Sequence, residues 1–488
     1  MRRRLSGPFV LITIAALLPA TSFLISCSGM SGANGAAKVT PAITWSPPAP
    51  IATRTPLGAA QLDATATVPG TFVYNPSAGT MLTSGTQTLS VSFIPANTAA
   101  YNSVSASVPI TVDQTNSNSA FVYASSSPSS NTIEVFAYSA ASDGTLTPVA
   151  GSPFSSPVSL EASNGKFLFG TNGVDITSFS VVADGTIQQV SSIDAQQFNG
   201  KTLSGSSCGG PTNLVLDRTG ANLYDLDAYS DCANNAYQSF NVDSSTGGLT
   251  YLGVTSTTTP IFEVPLTFLG SSPFAYGASC YHWLQEIYGL ARNNDGTLTA
   301  LPLSPGIDPA MPTSASGQIY CPYLAAADAS NHVAVPVQPV DNSSLQPVGP
   351  YQLALYTADN AGNLTTTSSN LNMLTASVTS GSSNSLTAIS LSPSGNLLAV
   401  AGAGGLQVFH FNGASPITAY TGPLTTVPVD QLSWDNANHL YAISQSKGQL
   451  FVFTVTPSTN SAVSGSPYSV ANPANLVVVP QGSLSSSH

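Results

Sequence analysis

The chain has 488 residues, and only 7% of them are Asp, Glu, Lys or Arg, against about a quarter in ordinary soluble domains. Acids outnumber bases 22 to 10, for a formal net charge of −12, which excludes the Lys/Arg-rich face that a nucleic-acid binder sets against phosphates. The scarcity of Glu and Lys argues against long surface helices and coiled coils, while 42% hydrophobic residues supply the core that a disordered chain lacks.

The first element is a basic start, Met1-Arg2-Arg3-Arg4, followed by an apolar run from Phe9 to Ile25. This order reads as a secretory signal peptide over residues 1–26. Pro19 interrupts the run, which is shorter than the roughly 20 residues of a bilayer-spanning helix. Leu24-Ile25-Ser26-Cys27 resembles a bacterial lipobox, in which a small residue precedes a lipidated Cys. The resemblance implies lipidation at Cys27, and so a membrane partner reached through buried acyl chains. An ordinary signal peptide with a chance Cys is the alternative. Cleavage before Cys27 removes three Arg and no acid, leaving a mature chain of net charge −15. Ser28 in place of Asp points to the outer membrane if the cell is Gram-negative, within a general cell-envelope location. Residues 27–39, rich in Ser, Gly and Ala, read as a flexible tether.

Residues 40–113 alternate strand and turn. Gly70–Tyr74, Thr88–Phe93 and Val104–Val112 show period-2 patterning between Pro, Gly and Asn, which predicts a small β-sandwich. Ala64 to Tyr74 and Gly85 to Val91 resemble the immunoglobulin-like (Ig-like) repeats of bacterial surface proteins. That resemblance implies a spacer or adhesion module.

From residue 119 onward the chain repeats at roughly 40–65 residues, the range of propeller blades. A Gly turn recurs before a polar strand in Asp143-Gly144-Thr145, Asp184-Gly185-Thr186, Gly247-Gly248-Leu249, Asp295-Gly296-Thr297 and Gly362-Asn363-Leu364. It supplies the positive φ that tight hairpins need. Each unit also holds a pair of apolar strands around a polar turn, such as Asp217-Arg218-Thr219-Gly220 or Asp435-Asn436-Ala437-Asn438. Four strands per unit, with units starting near 119, 157, 211, 263, 320, 385 and 428, predict an all-β protein whose residues 119–480 form a seven-bladed β-propeller. Insertions in blades 3 and 5 leave six or eight blades open. The first unit lacks an inner strand, and the lone strand Asn475–Pro480 matches that position, so the last strand closes the ring. Residues 481–488 form a tail.

Val135-Phe136-Ala137-Tyr138, Asp143 to Val149 and Gly151-Ser152-Pro153-Phe154, with Gly465-Ser466-Pro467-Tyr468 repeating the ending, resemble the lactonase family of seven-bladed propellers. That family includes 6-phosphogluconolactonases and muconate-lactonising enzymes. Its members often carry Pro-His at the start of an inner strand, where this chain has Thr212 and Asn213. The resemblance therefore implies a lactonase-like fold and leaves open whether the chain is an enzyme.

In a propeller, inner strands begin and second strands end on one face. Cys208, Cys232, Cys280 and Cys321 fall there, predicting Cys208–Cys232 and Cys280–Cys321 disulfides in an exported chain. The same face collects Tyr281, His282, Trp283, Tyr320 and Tyr323, a candidate aromatic platform for a ligand, and Glu263 with His282, a candidate acid–base pair for a lactone. Asp225, Asp227 and Asp231 form an acidic end to one strand that could hold Ca²⁺; no other cofactor is implied. Arg218, Asp217, His332, His439, Arg292, Asp295 and His410 read as turn or packing residues.

Three functions follow. The leading one is a lipid-anchored envelope protein that displays a non-catalytic propeller to a small molecule, glycan or protein. The others are a lactone hydrolase using Glu263 and His282, and a purely structural envelope component.

Overall fold

The computed structural model describes residues 37–52, 57–80, 82, 85–113, 118–126, 132–195, 211–227, 236–256, 265–270, 272–281, 284–301, 310–371, 374–376, 378 and 386–481. The chain divides into two compact units, 1–113 and 114–488. The described residues form strands and turns without a helix, as expected for an all-β protein. No helix among them is long and apolar enough to cross a membrane. The leader and Cys27 lie outside the described residues.

In the first unit, Ile51–Ala52, Val104–Asp113, Gly85–Pro95 and Gly70–Asn75 make one sheet in that order. The first pair is parallel and the others antiparallel. Alternation along Gly85–Pro95 buries Leu89, Val91 and Phe93 and exposes Thr88, Ser92 and Ile94, the signature of a sheet wet on one face. Leu89, Val108, Ile110 and Val112 pack with Ile51 and Leu57 into a small core edged by Trp45. A second, two-stranded ladder joins Ile43–Thr44 to Thr65–Ala66.

In the second unit, the described strands form seven sheets of at least four strands each, and these are the blades. The inner strands are Pro473–Pro480, Ser159–Ser163, Pro211–Leu216, Thr267–Phe268, Gln318–Pro322 with Ala326–Ala327, Leu386–Leu391 and Gln431–Trp434 for blades 1 to 7. Pro473–Pro480 pairs antiparallel with Asn118–Ser126, setting Val478 opposite Val122. The C-terminal strand thus supplies the inner edge of the first blade. Inner strands of neighbouring blades touch around much of the ring.

Second and third strands are buried on both faces, as in Phe167–Thr171 and Leu397–Gly402. Their apolar side chains meet those of the next blade, so the core consists of wedges between blades. A repeated hydrogen bond pins the wedges. Tyr123, Tyr224 and Tyr276 sit on second strands, and each donates its hydroxyl to a turn-glycine carbonyl of the following blade: Gly185 at 2.9 Å, Gly296 at 2.9 Å and Gly362 at 2.8 Å. Two of the receiving turns are Asp-Gly-Thr, and the third is Ala361-Gly362-Asn363. Asp184 accepts the backbone N–H and hydroxyl of Thr186 at 2.9 and 2.7 Å, and Gly185 has φ of +89°, which an L side chain rarely adopts. A Cβ at Gly185 would come within 2.6 Å of Phe121. The repeated blade ending also has a local cause: Ser152 and Ser466 accept the backbone N–H groups of Ala137 and Val452.

Candidate functional site: the inner ring

Several inner strands carry one extra residue relative to their partner. In blade 2, Leu160 pairs with Gly170 and Ala162 with Phe169, leaving Glu161 as the bulged residue. In blade 6 the bulged residue is Thr387, and blades 1 and 3 are irregular at Pro473/Asn475 and Pro211/Leu214. A bulge bends the strand and re-aims a side chain. Here the re-aimed groups reach across blade boundaries.

The result is a polar belt along the ring. Gln431 of blade 7 donates to Asn475 Oδ1 at 2.5 Å and accepts the N–H of Leu476 at 2.9 Å. Asn475 of blade 1 donates to Ser159 Oγ at 2.8 Å. Glu161 of blade 2 accepts the N–H of Leu214 in blade 3 at 3.0 Å. Arg218 of blade 3 donates to the carbonyls of Phe268, Ala327 and Asp328 in blades 4 and 5. Thr267 accepts the N–H of Ala327 at 3.0 Å, and Thr387 donates to the carbonyl of Val429 at 2.5 Å. Between blades 5 and 6 the ring is joined by apolar packing of Ala326 with Leu386 and Ile389. Gln431, Asn475, Ser159, Glu161, Thr267 and Thr387 are all half-buried.

Among the described residues, Glu161 is the one acidic or basic side chain on an inner strand. Burial pushes its carboxyl up to about 7, and the Leu214 N–H only partly offsets this. No charged neighbour contributes to the shift. Composition and motif reading missed Glu161. The available signal was a single acid in an otherwise uncharged inner strand, Ser159-Leu160-Glu161-Ala162-Ser163.

Of the expected site residues, Cys280 and Cys321 are joined by a disulfide with Cα atoms 5.1 Å apart. It ties the second strand of blade 4 to the inner region of blade 5, the cross-blade pairing expected from topology. Cys208, Cys232, Glu263, His282, Trp283 and Asp231 lie outside the described residues, as do the side chains of Tyr281 and Asp227. Tyr323 packs edge-on against Tyr351 with ring centroids 5.3 Å apart and joins the wedge between blades 5 and 6. Tyr320 packs into the wedge between blades 4 and 5. Both rings therefore take part in blade packing.

Asp225 is fully buried, on the side of its strand shared with Leu223, which packs into the blade 2–blade 3 wedge. Of the three carboxylates read as a cation site, Asp225 is the one whose side chain is described. A second strand is covered by neighbouring blades on both faces, so its carboxylate enters a wedge rather than the loop mouth. Among the described residues, no three His, Cys, Asp or Glu side chains converge as metal ligands.

Several other titratable groups pair at or beside the turns between strands. His332 and His439 contact Asp328 and Asp435 through Nδ1 at 2.6 and 2.7 Å. Asp435 also accepts hydroxyls from Tyr441 and Ser119 at 3.0 and 3.2 Å. Arg292 pairs with Asp217 at 3.4 Å across blades 4 and 3. His410 lies against the ring of Tyr420, centroids 4.6 Å apart.

No protein-family model matches the chain, and no curated protein does. Solved structures match its fold. A proposed 6-phosphogluconolactonase from Bacteroides uniformis aligns with a TM-score of 0.51 at 13% identity, covering 75% of this chain and 100% of its own. A second, from Bacteroides fragilis, aligns with a TM-score of 0.50 at 14% identity, covering 75% of this chain and 99% of its own. At these identities the likeness is one of fold, and the propeller is lactonase-like in architecture.

Proposed function

We propose that this chain is an exported, lipid-anchored cell-envelope protein whose propeller binds a polyhydroxylated small molecule in its inner ring without turning it over. Residues 40–113 would act as an Ig-like spacer, lying in sequence between the anchor at Cys27 and the propeller. The inner ring carries the reading. Its half-buried side chains are amides and hydroxyls, with one carboxyl among them. Such groups recognise sugar or polyol hydroxyls by offering donors and acceptors in fixed positions. The described histidines are committed elsewhere, two to Asp partners in turns and one to an aromatic ring.

A second reading, lactone hydrolysis, is favoured by one observation: the Glu161 carboxyl near neutrality has the acidity of a general base. One experiment separates the two. The mature chain is titrated calorimetrically with a panel of aldoses, alditols and aldonolactones, and lactone turnover is followed in parallel. Binding that weakens at least tenfold in Asn475→Leu, without turnover above the uncatalysed rate, supports the binder. Turnover abolished in Glu161→Gln identifies the hydrolase.

A further inference from the structure

Resting on the reading of the inner ring as a ligand site, we infer that its ligand carries a protonated amine, which pairs with the Glu161 carboxylate. Four observations converge on this pairing. Glu161 occupies a bulge, so its side chain departs from the regular alternation of the strand. One carboxylate oxygen, Oε2, is held by Leu214 N–H, which fixes the group in place.

No counter-charge reaches it among the described residues. The elements packed against its strand are Phe167–Thr171, Pro211–Leu216, Pro473–Pro480, Asn118–Ser126 and Ile133–Ala141. Their titratable groups are Tyr123, Glu134 and Tyr138. Tyr123 donates to Gly185 and Tyr138 to the Ser469 carbonyl, and Glu134 is exposed. The nearest cation in sequence, Lys166, donates to the carbonyls of Ser244 and Ser245 at 2.7 and 3.3 Å.

The neighbouring acceptors supply the fourth observation. An ammonium has up to three donors and no acceptor. Ser159 stands two residues from Glu161 on the same strand, and its Oγ receives the Asn475 amide. A hydroxyl oxygen has a second lone pair to offer. A lone carboxylate is too few ligands for Ca²⁺ or Mg²⁺, whereas an organic ammonium needs one charged acceptor and neutral oxygens beside it. The mature chain's excess of acids over bases also draws cations toward it.

The binding step is a proton-linked association. At a pH where the carboxyl is protonated, the incoming ammonium displaces that proton to solvent, and the ion pair forms. The test uses N-methylglucamine, a polyol ammonium, and sorbitol, its neutral analogue, titrated into the mature chain at pH 6 and pH 8. N-methylglucamine is expected to bind about tenfold tighter than sorbitol at pH 8, the scale of a charge-assisted hydrogen bond. That advantage shrinks at pH 6 and disappears in Glu161→Gln, in which the two probes bind with equal affinity. Glu161→Asp, which keeps the charge, retains a preference for the amine and serves if the Gln variant fails to fold. Equal affinity for both probes in the native chain, or an amine preference that survives Glu161→Gln, overturns the inference while leaving the polyol-binding reading intact. Failure of both probes to bind overturns both.

Discussion

At the scale of single residues, Glu161 connects function to stability. Its folded-state acidity lies near 7, above the usual 4.5 of a glutamate. The folded state therefore holds a proton that the unfolded chain releases between those values. The stability gained from that proton is complete below about pH 4.5 and is lost as the pH rises through about 7. The shift corresponds to at most about 3 kcal/mol. Glu161→Gln cannot ionise and still accepts the Leu214 N–H. Thermal melts should show the variant and the native chain close together at pH 5, with the variant about 2–4 °C more stable at pH 8. A constant gap across that range would remove Glu161 from the account. Other single residues were readable in part. The Asp-Gly-Thr turns announce hairpins through glycine's positive φ, but nothing in them announces the Tyr hydroxyl arriving from the preceding blade, because that contact spans 62 residues between Tyr123 and Gly185.

At the scale of elements, strands and their order were legible because inward and outward residues alternate and turn residues punctuate them. The bulges were not, because an extra residue breaks the alternation without changing composition. Blade 2 shows the consequence. Gly170 lies opposite Leu160 beside the bulge, and a Cβ there would collide with the Ser159 carbonyl and come within 2.9 Å of Val158. Gly170→Ala should therefore push the inner strand and cost about 1–3 kcal/mol, the range of overpacked cores, measured by denaturant melts. It should also weaken polyol binding, since Ser159 and Glu161 ride on the displaced strand. An Ala variant with native stability would show that the strand has room to move. The acidic stretch that begins at Asp225 shows what spacing along a strand leaves out. A second strand is enclosed by blades on both sides, and Asp225 is buried there. Sequence spacing placed the carboxylates on one side of a strand without saying which surroundings that side meets.

At the scale of the whole molecule, the seven-fold repeat and the closure by Pro473–Pro480 followed from a missing inner strand at one end and a spare strand at the other. The same low charge that excluded nucleic acid explains the inner ring. With only 32 charged residues in the chain, and several of those in the propeller pinned in turns, the polar side chains of the described inner strands are left as amides, hydroxyls and one carboxyl. What composition could not supply is the joining of these groups across blade boundaries, which depends on bulges and on strands hundreds of residues apart. Our central claim is that this ring is the ligand site. Hydrogen exchange of the mature chain, with and without saturating sorbitol, tests it most directly. Protection is expected to rise in Ser159–Ser163, Pro211–Leu216, Gln431–Trp434 and Pro473–Pro480 while the outer strands stay unchanged. Protection confined to outer strands or to residues 40–113, or absent throughout, would contradict it.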